Sequence, residues 1–287
     1  MRSIFIGSAL AIFLVGTFSA QEWQPKRTPD GQPDLSGIVW TTGPDEVAYT
    51  GDLETGVADP IGRKIQGRGI TKGGSLIIDP PNGRIPYQPW AAAKRAQIPH
   101  GRPAPEIGRT VVEREPNKLR EVRPQYMCLP AAPRINFDRD FRIVQTPGYV
   151  IMMWEWSHAY RIIPVDGRPR ISPRVKMAMG DARGRWEGNT LVVETTNLND
   201  WDWLDAAATF FTDKMTAVER YTILDANTLD YRVTITDPNV FTQPWTAAFK
   251  MRKSHDPDYE FLEAACVEGE RAVGHILGKE RTGAFSN

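Results

Sequence analysis

Apolar and polar residues follow two different patterns along the chain, and the change falls near residue 140. From 21 to 140 the sequence consists of turns and short extended pieces, with few apolar residues at a regular spacing. One helix is predicted here, over Pro86–Ile98, because good helix formers follow Pro89, which suits a first turn. We therefore expect 21–140 to be an extended Pro/Gly-rich segment that packs against a core formed by the rest of the chain.

The second part, 141–287, has the pattern of short β-strands. The strands are rich in β-branched and aromatic residues, and turns containing Gly, Pro, Asp or Asn separate them. The predicted strands are Phe141–Thr146, Tyr149–Trp156, Ala159–Val165, Trp186–Leu198, Ala217–Leu224, Thr228–Thr236, Trp245–Lys253 and Tyr259–Cys266. Such a series predicts a mainly β, antiparallel domain, either an up-and-down barrel or a strongly coiled sheet, because closure removes exposed edges.

The hairpin between 217 and 236 predicts which side chains share a face. With a four-residue turn, Tyr221 faces Arg232 and Glu219 faces Thr234, so one face is polar and the other mostly apolar. In a soluble barrel the polar face points to water. In a ligand-binding barrel it points inward instead, and both alternatives stay open.

The first 20 residues have the layout of a secretory signal peptide. Arg2 precedes an apolar run, Ile4–Val15, which is too short to span a bilayer and is followed by small residues. Cleavage is expected near Ser19 or Ala20. The protein is therefore predicted to be periplasmic or secreted, without a membrane span.

Charge is balanced overall and uneven along the chain. With 35 Lys and Arg against 35 Asp and Glu, a nucleic-acid partner held by phosphate neutralisation is disfavoured. Residues 60–142 hold 16 basic and 7 acidic residues, whereas 200–270 hold 6 and 14. Docking of the basic segment on the acidic sheet is the simplest consequence.

The cysteines and histidines argue against a metal site. Cys128 and Cys266 are an even pair in a chain predicted to be exported, so they form either a disulfide or two buried free thiols. The four histidines lack metal-ligand spacing, and no phosphate loop, dinucleotide fingerprint or nucleophile elbow is present. We expect neither a metal nor an organic cofactor.

The stretch Met152–Arg161 holds more candidate catalytic and ligand-binding side chains than any other part of the sequence. Along one extended strand, Glu155 and Arg161 share one face. The opposite face carries Trp154, Trp156, His158 and Tyr160. Three aromatic rings with one imidazole suit a largely apolar ligand beside a titratable group.

These residues receive the following predicted roles. His158 is the candidate general acid or base, and Glu155 orients or assists it if Ser157–His158 forms a bend that brings both to one side. Arg161 and Tyr221 hold a polar group of the ligand. The aromatic lining is predicted to be Trp154, Trp156 and Tyr160. The alternative is that the aromatic residues form core and His158 donates to a backbone carbonyl.

A second candidate is Asp200–Asp205, where two tryptophans alternate with acids between two strands. Such a connection could form a rim over the mouth of a barrel. A helix start capped by Asp is the alternative.

Several stretches resemble a large family of uncharacterised secreted bacterial proteins. They are Thr28–Gly37, Pro86–Tyr87, Cys128–Pro130, Arg161–Pro169, Gly180–Val193, Val218–Tyr221 and Thr228–Tyr231. The resemblance implies export and a β-rich fold, and it implies no reaction. The strand start Gly184–Gly188 also looks like that of lipocalin-like (calycin-like) barrels, an analogy of fold only.

Two functional hypotheses follow. The first is an exported enzyme without organic cofactor that performs acid–base chemistry on a largely apolar small molecule, as a lyase, isomerase, cyclase or hydrolase. The second is a non-catalytic periplasmic carrier of a hydrophobic ligand. A surface interaction module is a third interpretation. None of them fixes the oligomeric state.

Overall fold

The computed structural model describes residues 23–36, 38–42, 50–54, 57–58, 74–98, 101–104, 109–112, 133, 141–155, 159–205, 207–253 and 258–261. Within these ranges the chain is mainly β and every strand pair is antiparallel. The predicted fold class is confirmed at this level. Cys128, Cys266, Trp156, His158 and the first 20 residues lie outside the described residues.

Fourteen strands and one helix are assigned in the described part of the chain. The strands are β1 Ile38–Thr42, β2 Thr50–Asp52, β3 Val57–Ala58, β4 Ile77–Asp79, β5 Gly101–Ala104, β6 Arg109–Val112, β7 Phe141–Thr146, β8 Tyr149–Trp154, β9 Tyr160–Pro164, β10 Asp181–Glu187, β11 Thr190–Thr196, β12 Thr216–Asp225, β13 Thr228–Thr236 and β14 Trp245–Lys253. The helix, α1, is Pro89–Gln97. No helix among these residues is both long and apolar enough to cross a membrane.

The predicted helix is confirmed as α1. It begins at Pro89, whose fixed φ and missing N–H suit the first turn, and it ends where Ile98 is extended. Its buried residue is Ala91, which belongs to the hydrophobic core. Lys94 and Arg95 stand in the last turn, where positive charge is favourable to the helix dipole.

Ten strands form one sheet. Nine follow the order β10-β11-β12-β13-β14-β1-β7-β8-β9, and β4 pairs with β14 off this path. β4 and β1 share one edge of β14: Ile77 and Asp79 pair near its start, and Trp40 pairs with Lys253 at its end. Residues from before 140 therefore lie inside the sheet as well as beside it.

The two ends of the path, β9 and β10, meet along a line that we call the seam. A Cβ added at Gly184 of β10 would lie 2.8 Å from Val165 Cγ1 and 2.9 Å from Ile163 Cγ2. Among the described residues no backbone ladder joins the two strands, so the sheet is not closed into a barrel by hydrogen bonds. Pro164, which has no N–H to donate, is typical of an edge strand such as β9.

Two predicted strands need correction. The stretch Trp186–Leu198 is not one strand, because the chain reverses at Gly188, where φ is +60°, and β10 pairs with β11. The described beginning of the predicted strand Tyr259–Cys266, residues 259–261, is not in a strand. The remainder of that prediction lies outside the described residues.

The register of the β12–β13 hairpin is shifted by one residue from the prediction. Glu219 pairs with Val233 and Tyr221 pairs with Tyr231. The cause is an irregularity between Ile223 and Asp225, which adds a residue to one strand beside the turn. A one-residue shift changes which side chains share a face, so Glu219 and Tyr221 share theirs with the apolar side chains of β13 instead of with Arg232.

Candidate binding site

Neighbouring strands β8 and β9 direct Trp154 and Arg161 to the same buried face. Trp154 is 2% exposed and Arg161 is 3% exposed, and Arg161 pairs across the hairpin with buried Met152. Cross-strand partners share a face. Trp154 N donates to Ala159 O at 2.8 Å, which marks where the chain turns back.

This turn corrects the predicted arrangement of faces. Tyr160 pairs with Met153 on the outer face and is 61% exposed, so Trp154 and Tyr160 do not share a face. The predicted faces extended the alternation across Met152–Arg161, although the predicted strands ended at Trp156 and began again at Ala159, and the chain reverses between them. Arg161 therefore lies on the same face as Trp154, whereas the predicted alternation placed the two on opposite faces.

At the centre of the buried face Arg161 forms an ion pair with Glu219 of β12. Arg161 Nη1 donates to Glu219 Oε1 at 3.0 Å, and Nη2 lies 2.7 Å from Oε2. The side chains are 1% and 0% exposed. Because β9 meets β10 at the seam, this pair reaches over β10 and β11 on the buried side of the sheet.

Three hydroxyl groups complete what we call the polar cluster. Thr195 Oγ1 of β11 accepts a hydrogen bond from Arg161 Nη2 at 2.8 Å. Glu219 Oε1 accepts from the hydroxyls of Tyr221 at 2.8 Å and Tyr231 at 3.0 Å. The polar cluster is therefore one buried cation, one buried anion and the three hydroxyls that surround them.

The cluster's electrostatics follow from burial and charge. Burial is the largest influence on the pKa of Arg161 and lowers it, but the charge and hydrogen bond of Glu219 together with the neighbouring Tyr221 and Tyr231 outweigh it, so the pKa lies above its ordinary value. Burial raises the pKa of Tyr221 and Tyr231 well above the usual value, and the adjacent Glu219 charge raises both further. Arg161 is thus a permanent cation, and both phenols stay protonated donors.

Arg161 and Tyr221 were predicted to act together on a polar group, and the structure brings both to Glu219. Glu219 and Tyr231 were not predicted as site residues. A signal existed: Ala217, Glu219, Tyr221 and Ile223 alternate along β12, which places a carboxylate on an otherwise apolar face. The pairing of Glu219 with Arg161, 58 positions earlier in the chain, had no such signal.

The predicted catalytic residue Glu155 lies just past the end of β8. It is half-buried, and Tyr259 donates its hydroxyl to Glu155 Oε1 at 2.6 Å. The bond fixes the direction of the carboxylate. Trp156 and His158, the residues predicted to act with it, lie outside the described residues, so their roles stay predictions.

The predicted rim, Asp200–Asp205, meets the N-terminal segment instead of standing free. Asp205 is fully buried and accepts backbone hydrogen bonds from Leu53 at 3.1 Å and Thr209 at 3.0 Å. Arg95 of α1 donates to Ala207 O and pairs with Glu54 at 3.0 Å. Burial raises the pKa of Asp205, and the charge of Arg95 opposes the rise.

In the described part of the chain, no group of three or more His, Cys, Asp or Glu side chains is arranged to hold a metal ion. Comparison of the chain with protein-family models, curated proteins and solved structures gives no match. The resemblance to a secreted bacterial family therefore stays a prediction. What the polar cluster does must be argued from its own chemistry.

Stability should fall at high pH because of the two buried tyrosines. Their folded-state pKa is raised above the unfolded value of about 10, so their contribution is complete below pH 10 and is lost as pH rises further. Each tyrosine can contribute a slope of up to about 1.4 kcal/mol per pH unit. Denaturant unfolding of the parent between pH 8 and 11.5 should show this loss.

The Tyr221→Phe variant should lose less stability over the same pH range. At pH 8 it should be about 1 kcal/mol less stable than the parent, since one hydrogen bond to Glu219 is gone. Tyr160→Phe, at an exposed position, is the control and should follow the parent. Equal pH slopes for the two variants would contradict the assignment.

Proposed function

We propose that the protein is exported and binds a largely apolar small molecule inside the curved sheet, with the polar cluster holding the one polar group of that molecule. The observation that carries the proposal is the ion pair Arg161–Glu219, buried on the same face as Trp154. Buried ion pairs add little stability compared with apolar packing, so their presence needs another reason. Orientation of a ligand is such a reason.

The lining of this face supports an apolar ligand. Tyr221 and Tyr231 contact each other with ring centroids 4.9 Å apart, and Tyr231 contacts Phe249 at 5.0 Å. Trp154 stacks on Phe141 at 5.6 Å. Aromatic walls around a few convergent polar groups are typical of small-molecule sites. Lipocalin-like closure of the sheet at the seam is part of this proposal.

Binding can be tested with a neutral fluorescent apolar dye, Nile red, titrated into the purified protein. We expect saturable binding of about one dye per chain, as one proposed site at the polar cluster implies. Thr195→Val removes the hydroxyl that holds Arg161 and should weaken binding by roughly tenfold, the cost of one hydrogen bond to a charged group. Arg220→Gln changes an outward-facing, exposed residue and should leave binding unchanged.

Non-saturable binding, or equal affinities of Thr195→Val and Arg220→Gln, would refute the proposal. Native mass spectrometry of the purified protein provides an independent test. A retained lipophilic molecule supports the carrier hypothesis.

The enzyme hypothesis is the second candidate, and the Tyr259–Glu155 hydrogen bond of 2.6 Å favours it. A carboxylate fixed in direction three positions before His158 suits a general acid–base pair. His158→Gln should leave Nile red binding intact and abolish turnover of any substrate found in a ligand library. Unchanged turnover would remove the assigned role of His158.

A further inference from the structure

One nitrogen of the Arg161 guanidinium, Nε, makes no hydrogen bond within the polar cluster. Nη1 donates to Glu219 and Nη2 donates to Thr195, whereas the buried Nε finds no acceptor among the described residues. A guanidinium has five N–H donors and no acceptor. A buried donor without an acceptor is costly, and such groups in folded proteins need an explanation.

The charges within the polar cluster also cancel. The positive charge of Arg161 faces the negative charge of Glu219 at 2.7 Å, and the surrounding hydroxyls add no charge. A carboxylate entering here would place a second negative charge beside Glu219, in a place that water does not screen. An ammonium group would likewise place a second positive charge beside Arg161.

We propose that the interior site takes a neutral, largely apolar molecule with one carbonyl or hydroxyl oxygen, and that this oxygen accepts the hydrogen bond from Arg161 Nε. The inference rests on the proposed binding function and adds the chemical class of the ligand. Glu219 acts as a specificity-determining residue, because its charge cancels that of Arg161 and so excludes acids.

The test compares molecules of one chain length that differ only in the polar group. Nile red bound to the purified protein is displaced with 2-decanone, decanoate or decylammonium. We expect 2-decanone to bind at least about tenfold more tightly than either ion, as expected for one satisfied hydrogen bond against one unpaired buried charge. Equal or tighter binding of decanoate overturns the inference.

A reversal of preference provides the sharper test. Glu219→Gln keeps the size of the side chain and removes its charge, so the Arg161 charge is no longer cancelled and decanoate should become the tightest of the three ligands. Glu194→Gln removes a charge from the exposed side of neighbouring β11 and should keep the parent's preference. Circular dichroism checks that both variants are folded.

The outcomes separate the two proposals. If Nile red does not bind saturably, the proposed function fails. If it binds and the three displacing molecules rank alike, or if folded Glu219→Gln does not shift toward decanoate, the ligand class is wrong and the binding function stands. If Glu219→Gln does not fold, the ranking on the parent decides.

Discussion

Replacement of Arg161 by methionine is expected to lower the free energy of unfolding by about 3–5 kcal/mol, the typical cost of leaving a buried charge without its partner. Glu219 is fully buried, and only the Tyr221 and Tyr231 hydroxyls would remain to compensate its charge. Methionine fills a similar length of side chain, so most of the loss is electrostatic. Urea unfolding at pH 7, compared with the parent, measures it.

Two further variants identify the origin of this loss. Arg161→Met combined with Glu219→Met leaves no unpaired charge and should recover much of the stability, although the two phenols lose their acceptor. Arg185→Met removes an exposed ion pair with Glu194 and should change the stability by less than about 1 kcal/mol. If Arg161→Met lowers the free energy of unfolding no more than Arg185→Met does, the Arg161 charge is not what stabilises the buried carboxylate of Glu219.

Replacement of Gly180 by alanine is expected to cost about 3 kcal/mol or more, because strain and steric overlap add. Gly180 has φ +64°, which disfavours a side chain. A Cβ there would also lie 2.6 Å from the Thr196 carbonyl oxygen and 2.7 Å from Thr195 Cγ2. The backbone oxygen cannot move aside cheaply, since Thr196 pairs with Asp181 in the sheet.

Gly188 provides a matched control for this variant. Its φ is +60°, and a Cβ there would meet nothing within 4 Å. Gly188→Ala should therefore lower the stability by only about 1–2 kcal/mol, because the left-handed conformation alone is unfavourable for alanine. Thermal unfolding monitored by circular dichroism gives both values. If the two variants lose equal stability, the atoms around Gly180 move aside for the added methyl group without a measurable energetic cost.

Much of the fold could be predicted because β-strands carry their pattern locally. Three strands, Phe141–Thr146, Thr228–Thr236 and Trp245–Lys253, have the predicted bounds, and the helix was found within three residues at each end. Their alternation and their flanking turns lie within a few positions of each residue. The pairing of β14 with β1 could not be predicted in this way, because it joins segments that are distant in the chain.

The site was predicted only in part, and for the same reason. Arg161 and Tyr221 carry visible chemistry, whereas the pairing that unites them depends on Glu219 and on the register of its hairpin. One extra residue near Ile223 moved that register and was not evident from a turn of ordinary composition. The position of the reversal after Trp154 likewise decided which residues face inward.

Contact between β9 and β10 through side chains alone has a consequence for the motions of the native protein. Opening there breaks the packing of Gly184 against Ile163 and the bridge from Arg161, but it breaks no backbone ladder among the described residues. Amide protons along this line should exchange with solvent at a free-energy cost below that of global unfolding, while those of β12 and β13 should be the slowest. For the ligand proposed above, transient separation of the two strands is a route of entry that leaves the rest of the domain folded.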